Sequence, residues 1–375
     1  MRARRRRLAA ALAALPLANR VAATPSPAAP SARDAAGATA DAIRYPPVRA
    51  GVPLRFPADH GSHPEFRIEW WYLTGWLERD AGFQVTFFRA RTTHSDANPS
   101  RFAPHQLILA HAALALPSRG RLLHAQRAAR TALGLAGAAE GDTRIWIDPW
   151  QLVRNAGNDR YRALITAPEF ALDLQLQPDR PPLLQGDAGF SRKGPRPEQA
   201  SYYYSRPHLA VMGRMRTGNG ERSVTGRGWF DHEWSSEILD ERASGWDWVG
   251  LNLDDGSALM AFRIRLRDAE PQAAPLWSTA RWQRPDGSTF DAAPVFAPLR
   301  HWRSPRSGAL YPVAMRLQVA DRVLELAPLF DDQELDARSS TGTIYWEGAV
   351  VVHEAGREIG RGYLELTGYA APLRL

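Results

Sequence analysis

Turn-forming clusters at Asn155-Ala-Gly-Asn158, Thr217-Gly-Asn-Gly220, Asp254-Asp-Gly256 and Pro285-Asp-Gly287 cut this chain into short runs in which apolar and polar residues alternate. A period of two places successive side chains on opposite faces of a strand, whereas a helix needs a period near 3.6. Runs at 83–91, 144–153, 161–176, 202–215, 223–234, 246–253, 258–266, 315–326 and 343–369 read as strands. Helical periodicity is confined to a short piece near Asp332–Arg338. Closely spaced strands with frequent turn signals predict an all-β chain built from antiparallel barrels or sandwiches.

Two internal echoes organise the strands. The run from Gly75 to Arg91 matches the run from Gly250 to Arg265 with one gap, and both end in Phe-Arg-x-Arg. Gly226-Arg-Gly-Trp-Phe-Asp-His-Glu-Trp234 lines up with Gly360-Arg-Gly-Tyr-Leu-Glu-Leu-Thr-Gly368. The alternative is chance, because β-hairpins share a small alphabet. Repetition at both ends of each half predicts two tandem copies of one β-domain, residues 46–240 and 241–375. The copies differ in their closing strands: Asp231, His232 and Glu233 in the first, Glu365, Leu366 and Thr367 in the second. One polar and one apolarised version predict a single site, in the first copy or where the two meet.

Phe56 to Trp76, FPADHGSHPEFRIEWWYLTGW, is the densest stretch. His60 and His63 precede a strand with Phe66, Ile68, Trp70 and Tyr72 on one face and Arg67, Glu69, Trp71 and Leu73 on the other. Neither face is simply wet, so Glu69 requires a partner or a ligand. A satisfied acid in a barrel core and a ligand-facing acid both fit this pattern.

The formal charge of +7 raises the question of nucleic acid, and its location answers it. Arg2, Arg4, Arg5, Arg6, Arg7 and Arg20 precede residue 24, a segment without acids, so the remainder carries only +1. No nucleic-acid partner is expected. Lys193 is the only lysine and there is no cysteine, which excludes disulfides, thiolate ligands and a cysteine nucleophile. The cationic start, the apolar run Leu8–Ala18 and the small residues near Ala23 predict a signal peptide over residues 1–23 and a periplasmic or secreted protein. The Ala- and Pro-rich segment 24–45 reads as a disordered linker.

Candidate chemistry centres on His60, His63, Glu69, His105, His111, Asp231, His232 and Glu233. His60-x-x-His63 has metal-ligand spacing, yet no HExxH occurs, and no metal or other cofactor is expected. No G-x-S-x-G elbow supports Ser235 or Ser236 as a nucleophile. In a strand His232 and Trp234 share one face and Asp231 and Glu233 the other, so His232 is read as an acid or base beside an aromatic wall, with the acids and Asp247 assisting. Trp70, Trp71, Tyr72, Trp234, Trp246 and Trp248 are the aromatic candidates for binding a hydrophobic small molecule or lipid; filling for two barrels is the plain alternative for each.

Three separated motifs, the 56–76 stretch, Trp229-Phe-Asp-His-Glu-Trp-Ser-Ser236 and Gly362-Tyr-Leu-Glu-Leu-Thr-Gly-Tyr369, resemble the AttH-like family of exported proteins, related to carotenoid 1,2-hydratases, or hydroxyneurosporene synthases. The resemblance implies two tandem lipocalin-like antiparallel β-barrels, often encoded beside an ABC transporter, which makes a permease an expected partner. The hydratase branch adds water to an acyclic carotenoid without a redox cofactor, using a His-x-Trp and a Tyr-x-Asp. His232 and Trp234 match the first pair; Leu259-Met-Ala-Phe-Arg263 lacks the second. That departure moves the expectation to the AttH-like branch: a binding protein for a hydrophobic ligand, with a hydratase or secreted hydrolase as the alternative.

Overall fold

The structure, a computed structural model, describes residues 43–94, 98, 100, 103–237, 239–268 and 273–373. The expected signal peptide and all but the last three residues of the expected linker lie outside them. The described chain is β throughout, with two short 3-10 turns at Ala58–His60 and Pro117–Arg119 and no α-helix. It forms two antiparallel sheets, one of thirteen strands between Ile68 and Glu237 and one of ten between Ala243 and Leu366. The edge strands of the first sheet come back into contact, giving a nearly closed barrel. The second curls into a half-barrel. This is the expected pair of lipocalin-like β-barrels.

Both sheets are wound to one plan. Ile68–Leu77 lies between its hairpin partner Ala81–Arg91 and the distant closing strand Gly220–Glu237. Ala243–Leu253 lies in the same way between Ala258–Leu266 and Arg357–Leu366. Gly228 faces Gly75 in one ladder and Gly362 faces Leu251 in the other, so the ladders relate the copies one residue away from the letter match. Tyr72 opposite Asp231 thereby corresponds to Trp248 opposite Glu365.

Alternation sorts the side chains into three layers. Leu73, Val85, Phe87, Trp150, Leu174 and Phe230 fill the first barrel. Val249, Leu251, Leu317, Leu324, Val350 and Leu364 fill the second. The outward faces of the opening and closing strands meet instead of reaching water, through Tyr72, Trp76, Trp229, Trp248 and Tyr363, joined by Tyr203 and Phe262 from the strands beside them. Gly82 allows the approach, since a Cβ there would sit 2.5 Å from Ala349 Cβ and 2.6 Å from the Tyr363 hydroxyl. The seam is also pinned by hydrogen bonds: Trp76 Nε1 donates to Gly362 O at 3.1 Å, and Asn252 Nδ2 donates to Gly228 O at 3.1 Å.

The expected helical piece near Asp332–Arg338 is a strand, Glu334–Ala337, paired with 343–346. Leu335 and Ala337 are both fully buried beside Ala113, Ala115, Leu122 and Tyr345, which a helical turn would not allow. Tertiary burial here overrides a local pattern too short to decide between periods.

Candidate functional site

Face alternation along two adjacent strands creates two distinct polar centres. Inside the first barrel, Trp71 stands opposite His232 and Glu69 opposite Trp234. On the outer face, Tyr72 stands opposite Asp231 and Trp70 opposite Glu233. The sequence split of His232 and Trp234 from Asp231 and Glu233 is thus realised. Its consequence is that the two groups belong to different environments.

The inner centre is a closed network. Glu69 is fully buried and receives Arg89 Nε at 2.7 Å, Ser62 Oγ at 2.9 Å, His63 Nδ1 at 2.8 Å and His232 Nε2 at 2.9 Å. Burial opposes its charge, but the bonds from His232 and His63 and the Arg89 guanidinium hold its pKa well below the ordinary 4.5. His63 is desolvated too, yet Asp59 and Glu69 raise it to about 9. His232 is lowered, burial outweighing Glu69, so it is a neutral ring donating from Nε2. Tyr204 lies 2.9 Å from His60 Nδ1 and 3.3 Å from His232 Nδ1, and burial together with Arg154 and Arg206 lowers His60 to about 3. Trp71 stacks on His232, and His63 stacks on Trp234 at 3.7 Å. The network ties the 3-10 turn at Ala58–His60 across the barrel end.

His63, Glu69 and His232 bring ligand atoms within 4.8 Å of one another and are the residues that could hold a metal. As arranged, both ring nitrogens are spent on the carboxylate, and a protonated His63 is not a ligand.

The outer centre opens into a cleft of about 510 Å³ between the barrels. Trp70, Phe88, Leu107, Leu109, Trp246, Trp248, Phe262 and Ile264 give it apolar walls. Acids from both barrels reach it: Asp231 and Glu233 from the first, Glu347 and Glu365 from the second. Asp231 is 3% exposed, accepts from Ser205 Oγ and from Trp229 Nε1 at 2.8 Å, and is raised by burial to about 7. Glu347 and Glu365 face each other across one ladder. Directly opposed like charges repel, and burial adds to the effect. Glu347 is raised well above 4.5 by burial and Glu365, with Tyr72 donating to it, and Glu365 is raised to about 7 by burial and by Asp231 and Glu233 although Trp246 Nε1 donates to it at 2.9 Å. Glu233 pairs with Lys193 at 2.9 Å. His111 closes one side, bonded to Tyr345 at 2.7 Å and Ser340 at 2.8 Å, and burial lowers it to about 3, hence neutral.

Of the residues singled out by sequence, the cleft gathers Trp70, Tyr72, His111, Asp231, Glu233, Trp246 and Trp248, and Glu69 borders it while turning its carboxylate inward. His60, His63, Trp71, His232 and Trp234 belong to the inner network. Asp247 lies inside the second barrel, fully buried and paired with Arg263 at 2.7 Å and Arg265 at 3.0 Å. Sequence reasoning missed Lys193, Glu347 and the role of Glu365. The second copy is not apolarised: Glu365 occupies the position repeat-equivalent to Asp231 and points into the same space. The signal available was an acid inside each apolar closing run, at the parity of Tyr345 and of Tyr363.

A family model described as AttH-like matches residues 47–369. Among solved structures, one from Nitrosomonas europaea provisionally assigned as AttH is 48% identical, with a TM-score of 0.80, covering 86% of this chain and 99% of its own. Kievitone hydratase from Nectria haematococca superposes with a TM-score of 0.64 at 12% identity, covering 88% of this chain and 96% of its own. CghA with Sch210972 gives a TM-score of 0.50 at 14% identity, over 80% and 89% of the two chains. At those identities the last two show a shared fold. No curated protein sequence matches.

Proposed function

We propose that this chain, which belongs to the AttH-like family, binds a largely apolar unsaturated small molecule between its barrels and transfers protons to and from it, with addition of water to a carbon–carbon double bond as the net reaction. The observation carrying this reading is the set of carboxyls desolvated in an aromatic cleft, two of them raised to about 7. An acid whose pKa sits near the working pH is poised both to give and to take a proton. Binding alone would be served by the aromatic walls and needs no buried acids, which cost stability. That one solved protein of this fold is named a hydratase is in keeping with the reading.

In this account Glu365, sharing its surroundings with Glu347, supplies the proton to carbon. Asp231 takes a proton from the attacking water. Trp246 and Trp248 hold the apolar body and exclude bulk water. His232 is given no acid–base role, because it is fully buried and its Nε2 proton is committed to Glu69. Export and docking on a membrane permease stay proposals of the family resemblance.

The test titrates farnesol, geranylgeraniol and chalcone against the wild type by tryptophan fluorescence and follows incubations by mass spectrometry for the gain of one water. Binding should weaken about tenfold in Trp248→Ala. Hydration should fall at least a hundredfold in Glu365→Gln. Undiminished binding by the tryptophan variant removes the cleft from the reading, and undiminished hydration by the glutamine variant removes the acid.

A further inference from the structure

Of the 47 lysine and arginine side chains in this sequence, one is lysine. Every other basic side chain of that pair of types is arginine, which makes position 193 the exception. Lys193 follows the Phe190–Arg192 strand, is 6% exposed and lines the cleft. Its ammonium lies 4.5 Å from the ring centroid of Tyr203 and 4.2 Å from that of Phe262, one ring from each barrel, and 2.9 Å from Glu233 Oε1. A gap bounded by two rings and one carboxylate matches a compact point charge better than a planar five-donor fork. Glu233 is its only carboxylate partner among the described residues, which leaves N–H donors for the cleft.

The sign of this charge also bears on the chemistry. Glu233 offsets that charge over distance and three further carboxyls line the cleft, so the effect of Lys193 is local: its remaining N–H donors favour negative charge developing on an oxygen within hydrogen-bond reach. A carbonyl oxygen conjugated to the double bond would accept from the ammonium in the ground state and become an oxyanion as water adds.

We propose that Lys193 binds the polar end of the ligand, and that the substrate class is an α,β-unsaturated ketone or aldehyde with an apolar body. This rests on the hydration reading above and narrows it. Water bonds to the β-carbon and loses a proton to Asp231. The double-bond electrons move to the carbonyl oxygen, giving an enolate held by the Lys193 ammonium. Glu365 then protonates the α-carbon as the carbonyl re-forms, and the proton on Asp231 returns to Glu365 through solvent. The sum is enone plus water to β-hydroxy ketone, with no change in total oxidation level.

The experiment compares two probes by titration calorimetry: chalcone, and 1,3-diphenylpropene, the same skeleton without the oxygen. The wild type should bind chalcone about 10- to 100-fold more tightly, the range for a hydrogen bond to a charged group. Lys193→Met should bind both equally, and its retained affinity for the hydrocarbon shows that the cleft is intact. Equal affinity of the wild type for both probes, or an unchanged preference in the variant, overturns the role of Lys193 and leaves the cleft standing. Binding of neither probe by the wild type overturns both. A second measurement needs no variant. Lys193 is the chain's one ε-amine, so its acetylation by a water-soluble ester reads out at a single peptide. At equal occupancy chalcone should protect that amine more than the hydrocarbon does, and equal protection counts against the proposal.

Discussion

Replacing Asp231 with asparagine tests the electrostatics of the cleft independently of any ligand. The wild-type carboxyl rises from its ordinary 3.8 to about 7 because it is desolvated, while Ser205 and Trp229 offset part of that rise. Asparagine keeps the shape, accepts the same two hydrogen bonds and carries no charge to desolvate. Between pH 3.8 and 7 the folded protein holds a proton that the unfolded chain releases, so raising the pH favours unfolding of the wild type. At ~1.4 kcal/mol per pH unit the full effect is roughly 4 kcal/mol. Asp231→Asn should match the wild type near pH 3, exceed it by roughly 1–2 kcal/mol at pH 5, and exceed it by roughly 4 kcal/mol at pH 8. Urea unfolding at each pH, with the m-value checked for constancy, provides the comparison. The hydration proposed above should be lost in the same variant, separating a gain in stability from a loss of function. A difference between the two proteins that stays flat from pH 4 to 8 would refute the claim that Asp231 is strained by burial.

Three further outcomes follow from the inner network. Arg89→Met strands the buried Glu69 carboxylate without its guanidinium and should cost about 3–5 kcal/mol in urea unfolding; a loss under 1 kcal/mol contradicts the ion-pair account. His232→Ala should cost roughly 2–3 kcal/mol through a lost charge-assisted bond and ring packing, yet leave ligand affinity within about twofold. A folded His232→Ala protein with tenfold weaker binding would instead move His232 into the ligand site. His63, raised from 6.5 to about 9, contributes stability that is full below pH 6.5 and is lost as the pH climbs through 9. His63→Gln should therefore lose most of the decline in stability between pH 7 and 10, and an unchanged slope would show that His63 is not charged in the fold.

The strands were legible because period two and turn chemistry act locally. Gly-containing turns at 217–220 and 254–256 end strands whatever surrounds them. Alternation also placed His232 and Trp234 on one face and Asp231 and Glu233 on the other, as the ladder opposite Ile68–Leu77 confirms. What alternation left open was which face would be sealed inside a barrel. Two His-rich and acid-rich faces look equally functional in one dimension, and only closure of the first sheet consigns Glu69, His63 and His232 to its interior. Glu347 and Glu365 went unread for a related reason: an acid in an apolar run signals burial, and its partner lies in another segment or another barrel.

Residue order alone thus specifies a β-chain with two repeats, a first copy rich in polar aromatic motifs, and one lysine in an arginine-using protein. These are properties of residue order and local backbone preference. Packing of the two sheets is what set the outer faces of the repeats against each other, bringing Asp231 and Glu365 from equivalent positions into one cleft. It also decided that Lys193 meets Tyr203 and Phe262 there. Desolvation shifts a carboxyl only when packed strands remove its water, and Glu365 takes part of its rise from Asp231 and Glu233 in the other barrel.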